Sequence, residues 1–164
     1  MNSRPDNTFK NDSPIKDRHI LLSLDESENS RRALVYTADI LGGSPGFRAT
    51  LLHIIPEPPE DYFENDKEKN EWFEKESSRA ENFLNTCKNL LLDSGFENSQ
   101  IETLVEIRKC ITVADCIMEV QKRLDCCTII VGRRGISKKE EFIFGSTSSK
   151  LLHSQKNCAI WVVE

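Results

Sequence analysis

Five short apolar segments recur along the chain, and segments with helical periodicity separate them. The apolar segments cover residues 19–25, 49–55, 101–107, 127–131 and 158–163. Continuous apolarity without alternation is typical of strands that are covered on both faces. Strands that alternate with helices form parallel sheets. The pattern therefore predicts a single Rossmann-like α/β domain, with an open five-stranded parallel sheet and helices on both faces.

Four helices are predicted between the strands from apolar spacing and capping residues. The first follows a cap at Ser27 or Ser30, since serine is a favoured N-cap residue. The third begins at Thr112, which has capping-box spacing with Asp115. The second is the longest, and Gly95 is placed to end it. The helices are expected over about residues 27–41, 68–94, 112–124 and 146–153.

The first 17 residues are polar and lack the apolar stretch of a signal peptide. We expect residues 1–17 to form a flexible tail and residues 18–164 to form the domain. An acidic, proline-rich segment at 56–70 reads as an exposed connection.

Charge and composition narrow the class of protein. The net charge is −5 and there is no basic cluster, which argues against a nucleic-acid-binding protein. No segment approaches the roughly 18 apolar residues of a membrane-spanning helix. We therefore expect a cytoplasmic protein that contacts neither nucleic acid nor membrane.

The six cysteines show no CxxC pair. We expect buried, reduced thiols that pack as small apolar residues. The alternative is a metal or redox role for Cys110, Cys116 or Cys126, which no ligand-like spacing supports.

Three of the seven glycines lie between residues 132 and 145, and hydroxyl residues follow the last of them. The stretch is neither a Walker A loop nor a GxGxxG fingerprint. Gly132 and Gly135 can take positive φ and expose backbone N–H groups. Gly145 precedes a predicted helix, whose N-terminus favours an anion. The residues alone leave two alternatives open, a polyphosphate cradle or an ordinary turn followed by a helix cap.

Other candidate residues also stand at strand carboxyl ends, where open parallel sheets bind ligands. Asp25 ends the first apolar segment and Ile54 lies near the end of the second. Asp25 has an alternative role as a cap for the first helix. Arg133 and Arg134 are either phosphate contacts or solvated turn residues. The three histidines are expected to have structural, hydrogen-bonded roles.

From about residue 19 onwards, the sequence resembles the universal stress protein family. The family's ATP-binding members carry Gly, two residues, Gly, nine residues, then Gly and Ser or Thr. Here Gly132, Gly135, Gly145 and Ser146 reproduce that spacing. The "LLHII" and "DCCTIIVGRRG" segments are also similar to the family, whereas "EIRKCIT" lacks a glycine that relatives often have after the third strand. The resemblance implies a fold of the adenine nucleotide alpha hydrolase-like type.

The resemblance also implies roles for individual residues. The acid at Asp25 would lie by the adenosine, Ile54 would pack against adenine, and Val131 would lie beside the adenosine. The three motif glycines would contact the ribose and phosphates through their backbone, and Ser146 and Thr147 would hold the phosphates. The complete nucleotide-binding set is Ser23, Leu24, Asp25, Ile54, Val131, Gly132, Arg134, Gly135, Gly145, Ser146, Thr147 and Ser148.

The resemblance implies a nucleotide-dependent stress-response or regulatory module that binds ATP, or else ADP or AMP. Mg²⁺ or Mn²⁺ would be held through the phosphates rather than by side chains. Relatives often form homodimers through the last strand, here residues 158–163, and an unidentified protein partner would read the bound state. No general base stands convincingly beside the phosphates, so at most slow ATP hydrolysis is expected. The alternatives are a nucleotide-free dimeric interaction module, or an ATP-hydrolysing or adenylating enzyme.

Overall fold

The structure is a computed structural model that describes residues 18–134 and 145–164. The predicted tail at 1–17 and the predicted site residue Gly135 lie outside the described residues. The strands are β1 (Arg18–Ser23), β2 (Phe47–Pro56), β3 (Ile101–Arg108), β4 (Thr128–Gly132) and β5 (Ala159–Val163). The helices are α1 (Glu28–Leu41), α2 (Asp66–Asp93), α3 (Val113–Leu124) and α4 (Ser146–Ser154), and single 3-10 turns lie at Glu60–Tyr62 and Asn98–Gln100.

The five strands form one parallel sheet in the order β3-β2-β1-β4-β5. Side chains alternate between its two faces, so neighbouring residues of one strand enter different cores. Leu22 packs in a core with α1 and α2, while Leu21 packs in a second core with α3 and α4. The prediction of an open five-stranded parallel sheet with helices on both faces is confirmed.

Polar caps fix where the helices begin. The Ser27 side chain accepts a hydrogen bond from the N–H of Ser30, so Ser27 rather than Ser30 caps α1. Thr112 accepts from the N–H of Asp115 at the start of α3. Asn65 caps α2 in the same way, so this helix begins at Asp66, two residues before its predicted start at about residue 68. None of the described helices is both long and apolar enough to cross a membrane.

The cysteines correct one expectation. Cys110 and Cys116 form a disulfide with a Cα–Cα distance of 6.1 Å, which is usual for such a bond. The pair was missed because it is joined across the turn from β3 into α3, at a sequence separation that does not correspond to a CxxC motif. Cys127 is exposed rather than buried. Cys87 and Cys126 are buried free thiols, as expected.

Candidate functional site

A cavity of about 450 Å³ opens at the carboxyl edge of the sheet. In the sheet, β1 lies between β2 and β4, so the strand order reverses at β1. The cavity lies at this point. Helices leave the sheet in opposite directions at this point and leave a crevice between them. Eleven of the twelve predicted site residues line the cavity. They are Ser23, Leu24, Asp25, Ile54, Val131, Gly132, Arg134, Gly145, Ser146, Thr147 and Ser148.

One end of the cavity is apolar and lies at the ends of β1 and β2, beside α2. Its lining includes Leu24, Ile54, Pro56 and, from α2, Ala80. Leu24 and Ala80 are each only 3% exposed and are therefore fixed by packing. Such a surface suits a flat apolar ligand group, because it is already formed without one.

Asp25 does not cap α1, since Ser27 does, but it supports the segment that precedes the cap. Its Oδ1 accepts a hydrogen bond from the N–H of Ser27 at 3.0 Å, and its own N–H donates to Ser30 Oγ at 2.8 Å. These bonds shape the segment that leads into α1. Since Asp25 also lines the cavity, the same contacts that start the helix hold its carboxylate at the ligand edge.

Gly132 is required by packing, which differs from the predicted reason. It is the last residue of β4 and pairs with Val163. Its φ is not positive. A Cβ at Gly132 would lie 2.6 Å from the carbonyl carbon of Asn29 and 2.7 Å from the backbone nitrogen of Ser30. The glycine therefore allows the end of β4 to approach the first turn of α1. Gly132 does not use the positive φ that glycine allows.

The other end of the cavity is the N-terminus of α4. Gly145 is its N-cap, with φ −63° and ψ 156°, and no side chain caps the helix. The N–H of Gly145 donates to the carbonyl of Arg133 at 2.9 Å. The next three N–H groups, from Ser146 to Ser148, have no partner among the described residues, as helix geometry dictates for a first turn. Together with the positive end of the helix dipole, they form a surface that favours an anion.

The three hydroxyl residues at this helix end are not equivalent. Ser146 is exposed and Thr147 is half-buried, so both can contact a ligand. Ser148 is only 1% exposed, and its Oγ donates to the carbonyl of Arg133 at 2.8 Å and to that of Gly145 at 3.1 Å. Ser148 therefore links the end of β4 to the start of α4. Its hydroxyl donates within the protein and is not available to donate to a ligand.

Charged groups differ between the two ends of the cavity. Arg133 and Arg134 lie at the α4 end, and Arg133 forms an ion pair with Glu164. At the α2 end, Arg79 makes a two-pronged ion pair with Glu26, with distances of 3.0 Å from Nε and 2.6 Å from Nη2. Each end of the site thus has an arginine that is paired with a glutamate, and Arg134 adds a second arginine beside the helix N-terminus.

Sequence reasoning missed several residues that line the cavity, namely Glu26, His53, Glu76, Arg79 and Val113. Glu76 and Arg79 come from the middle of α2, and no motif spacing relates them to the sheet edge. His53 could have been found from its position next to Ile54. Its Nδ1 donates to the carbonyl of Leu24 at 2.7 Å, which gives it the structural role expected of the histidines.

The described residues contain no group of histidine, cysteine, aspartate or glutamate side chains that could hold a metal ion.

Comparison with known proteins decides the family. The family model described as "Universal stress protein family" matches residues 17–164, which is nearly the whole chain. The chain belongs to the universal stress protein family. No curated protein matches its sequence.

Solved structures of other universal stress proteins share its fold. The UspA protein of Lactobacillus plantarum has a TM-score of 0.71 at 17% identity, and the match covers 91% of this chain and 99% of that one. A universal stress protein in complex with cAMP has a TM-score of 0.64 at 14% identity, with coverage of 91% and 98%. One from Archaeoglobus fulgidus in complex with dAMP has a TM-score of 0.59 at 17% identity, with coverage of 92% and 100%.

Proposed function

We propose that this universal stress protein binds an adenine nucleotide, with ATP as the principal ligand, and acts as a nucleotide-dependent regulatory module of the cytoplasm. The observation that carries the proposal is the pairing of two unlike surfaces in one cavity. An apolar surface at Leu24 and Ile54 suits a purine, and the N-terminus of α4 suits phosphates. The cavity volume of about 450 Å³ falls within the 300–1,000 Å³ of typical small-molecule sites.

Two further findings support an adenine nucleotide. Structural neighbours of the family were solved in complex with cAMP and with dAMP. Arg133 and Arg134 also stand beside the helix end where a phosphate would lie, in a protein whose net charge is −5. Under this proposal, Ser146 and Thr147 contact phosphate, Mg²⁺ or Mn²⁺ is carried by the phosphate oxygens, and Ser148 positions the segment that holds them. Gly135, outside the described residues, remains part of the proposed set.

We also propose that the protein is a homodimer through residues 158–163. β5 is an edge strand that pairs with β4 on its inner side among the described residues. Its outer edge therefore offers backbone groups for pairing with a second copy. Tyr36, which is 45% exposed, packs edge-to-face on Trp161 with ring centroids 6.1 Å apart and extends the apolar surface beside this edge.

The function can be tested at Gly145 without loss of the fold. The backbone of Gly145 is extended, with negative φ, which residues with side chains also adopt, and both Asp and Asn are favoured N-cap residues. Gly145→Asp and Gly145→Asn should therefore both fold, and they differ only in charge. A carboxylate about 5 Å from a phosphate charge costs about 3 kcal/mol at an effective dielectric constant of 20.

The assay is isothermal titration with ATP and Mg²⁺. We expect saturable binding by the wild type and an affinity for Gly145→Asp that is about 100-fold below that of Gly145→Asn. Wild-type affinity in both variants would place the nucleotide elsewhere. A wild-type protein without affinity for ATP, ADP or AMP would contradict the proposed function.

A further inference from the structure

The Cys110–Cys116 disulfide closes a short loop between β3 and α3. Cys116 is 2% exposed and anchored in the core, whereas Cys110 is half-buried at the surface. Between them, the side chain of Ile111 is 95% exposed. The β3 end of the loop is held by surface ion pairs of Arg108 with Glu119 and of Lys109 with Glu60, and the disulfide joins it covalently to the buried Cys116.

The same loop contacts two parts of the ligand cavity. Val113, three residues after Cys110, lines the cavity. Lys150 Nζ donates to Thr112 Oγ1 at 3.1 Å and to Asp115 Oδ2 at 2.7 Å. Lys150 belongs to α4, and the first turn of α4 is the surface that favours an anion. The disulfide loop therefore supports one wall of the cavity directly and the helix end through Lys150.

Two of the free thiols have environments that disfavour redox chemistry. Burial raises the pKa of Cys87 to about 11. Burial also raises the pKa of Cys126 to about 12, with smaller contributions from Cys158 and Cys127. The reactive thiolate is therefore scarce at neutral pH for both residues. Cys110, by contrast, lies at the surface and is already joined to a second cysteine. Disulfides of proteins in reducing compartments are commonly transient and redox-sensing.

We propose that Cys110–Cys116 is a thiol–disulfide exchange site for a low-molecular-weight thiol such as glutathione, and that its oxidised form binds nucleotide more tightly than its reduced form. The second half of this proposal rests on the proposed nucleotide function. Reduction removes the covalent link between the end of β3 and the first turn of α3, so Thr112, which binds Lys150, and Val113 of the cavity wall lose one of their constraints.

The exchange is balanced with two glutathione molecules. The first glutathione thiolate attacks Cys110 Sγ, the bond between the two cysteine sulfurs breaks, and Cys116 Sγ leaves as a thiolate that takes a proton from solvent. A second glutathione thiolate attacks the glutathione sulfur of the mixed disulfide and releases Cys110 as a thiolate, which is also protonated. The protein disulfide is reduced to two thiols, and two glutathione molecules are oxidised to glutathione disulfide.

The redox site is tested first without nucleotide. The protein is equilibrated in glutathione buffers of different ratios, free thiols are alkylated, and the peptide with both cysteines is quantified by mass spectrometry. We expect its oxidised fraction to follow the ratio of glutathione disulfide to glutathione. A pair that stays fully oxidised or fully reduced over ratios from 1:1 to 1:1,000 of disulfide to thiol, on the order of those in cells, overturns the exchange site.

The coupling is tested by titration of oxidised and reduced wild type with ATP and Mg²⁺. We expect about a tenfold weaker affinity after reduction. Cys110→Ser/Cys116→Ala should match reduced wild type in both conditions, and Cys127→Ser, which removes an exposed thiol outside the pair, should respond as wild type does. Equal affinities of oxidised and reduced wild type overturn the coupling, even if the double variant fails to fold. If neither form binds nucleotide, the proposed function fails with the coupling, and the alkylation result still decides the exchange site.

Discussion

Replacement of Gly132 by alanine separates packing from ligand binding at the end of β4. The added Cβ would lie 2.6 Å from the carbonyl carbon of Asn29, and it needs at least 3.4 Å for ordinary van der Waals contact. Neither the end of β4 nor the first turn of α1 can move easily to relieve this contact. Gly132 is held in the sheet by its pairing with Val163, and the first turn of α1 is fixed by the Ser27 cap.

Overpacking between fixed groups typically costs 1–3 kcal/mol, and contacts with backbone on both sides favour the upper half of that range. We expect Gly132→Ala to lose about 2–3 kcal/mol of unfolding free energy. For a domain of this size, each kcal/mol shifts the melting temperature by about 2–4 °C, so Tm should fall by about 5–10 °C.

The assay is thermal unfolding without nucleotide, followed by chemical denaturation to obtain the free energy. Arg134→Ala is the matched control, since its side chain is exposed and its truncation should change stability by less than about 0.5 kcal/mol. A Gly132→Ala protein with wild-type stability but without nucleotide affinity would refute the packing argument. In that case, the glycine would serve the approach of the ligand.

Three further outcomes follow from the described contacts. Ser148→Ala should lose about 1 kcal/mol of stability in chemical denaturation, since it removes a buried donor to the carbonyls of Arg133 and Gly145; unchanged stability would show that those bonds contribute nothing. Burial and the nearby Arg48 lower the pKa of His19 from 6.5, so its contribution to stability is full above pH 6.5 and is lost as the pH falls through the lowered pKa. His19→Gln should therefore show a smaller loss of stability than wild type between pH 7.5 and 5.5, and an equal loss would contradict the assignment. Sedimentation equilibrium should give twice the chain mass of 18.8 kDa, and a monomer at tens of micromolar would contradict the dimer.

The fold could be predicted because its signals are local. Apolar runs without alternation identified all five strands, and Ser27 and Thr112 marked the starts of two helices through contacts with residues only three positions away. The end of α2 could also be predicted from Gly95, because a helix commonly ends at a glycine with positive φ. The structure gives Gly95 a φ of +103°. The placement of the predicted site residues around one cavity follows from the strand order, which brings the ends of β1, β2 and β4 together.

The remaining features depend on contacts between distant segments. The reason for Gly132 lies in the backbone of Asn29, more than 100 residues earlier in the chain. Arg79 reaches the cavity from α2, where only the tertiary structure places it beside Glu26. Ser148 resembles its neighbours Ser146 and Thr147 in sequence, but its hydroxyl donates a hydrogen bond to the carbonyl of Arg133. Pattern and spacing do not contain these contacts.

The central claim is that one adenine nucleotide occupies the cavity at the carboxyl edge of the sheet. The most direct test is a crystal structure of the protein grown with Mg²⁺ and a non-hydrolysable ATP analogue. The account predicts adenine against Leu24 and Ile54, with phosphates at the N–H groups of Ser146 and Thr147. A nucleotide bound in the second groove between α1 and α2, lined by Leu34, Phe83 and Leu90, would contradict it, as would a cavity without nucleotide at saturating analogue.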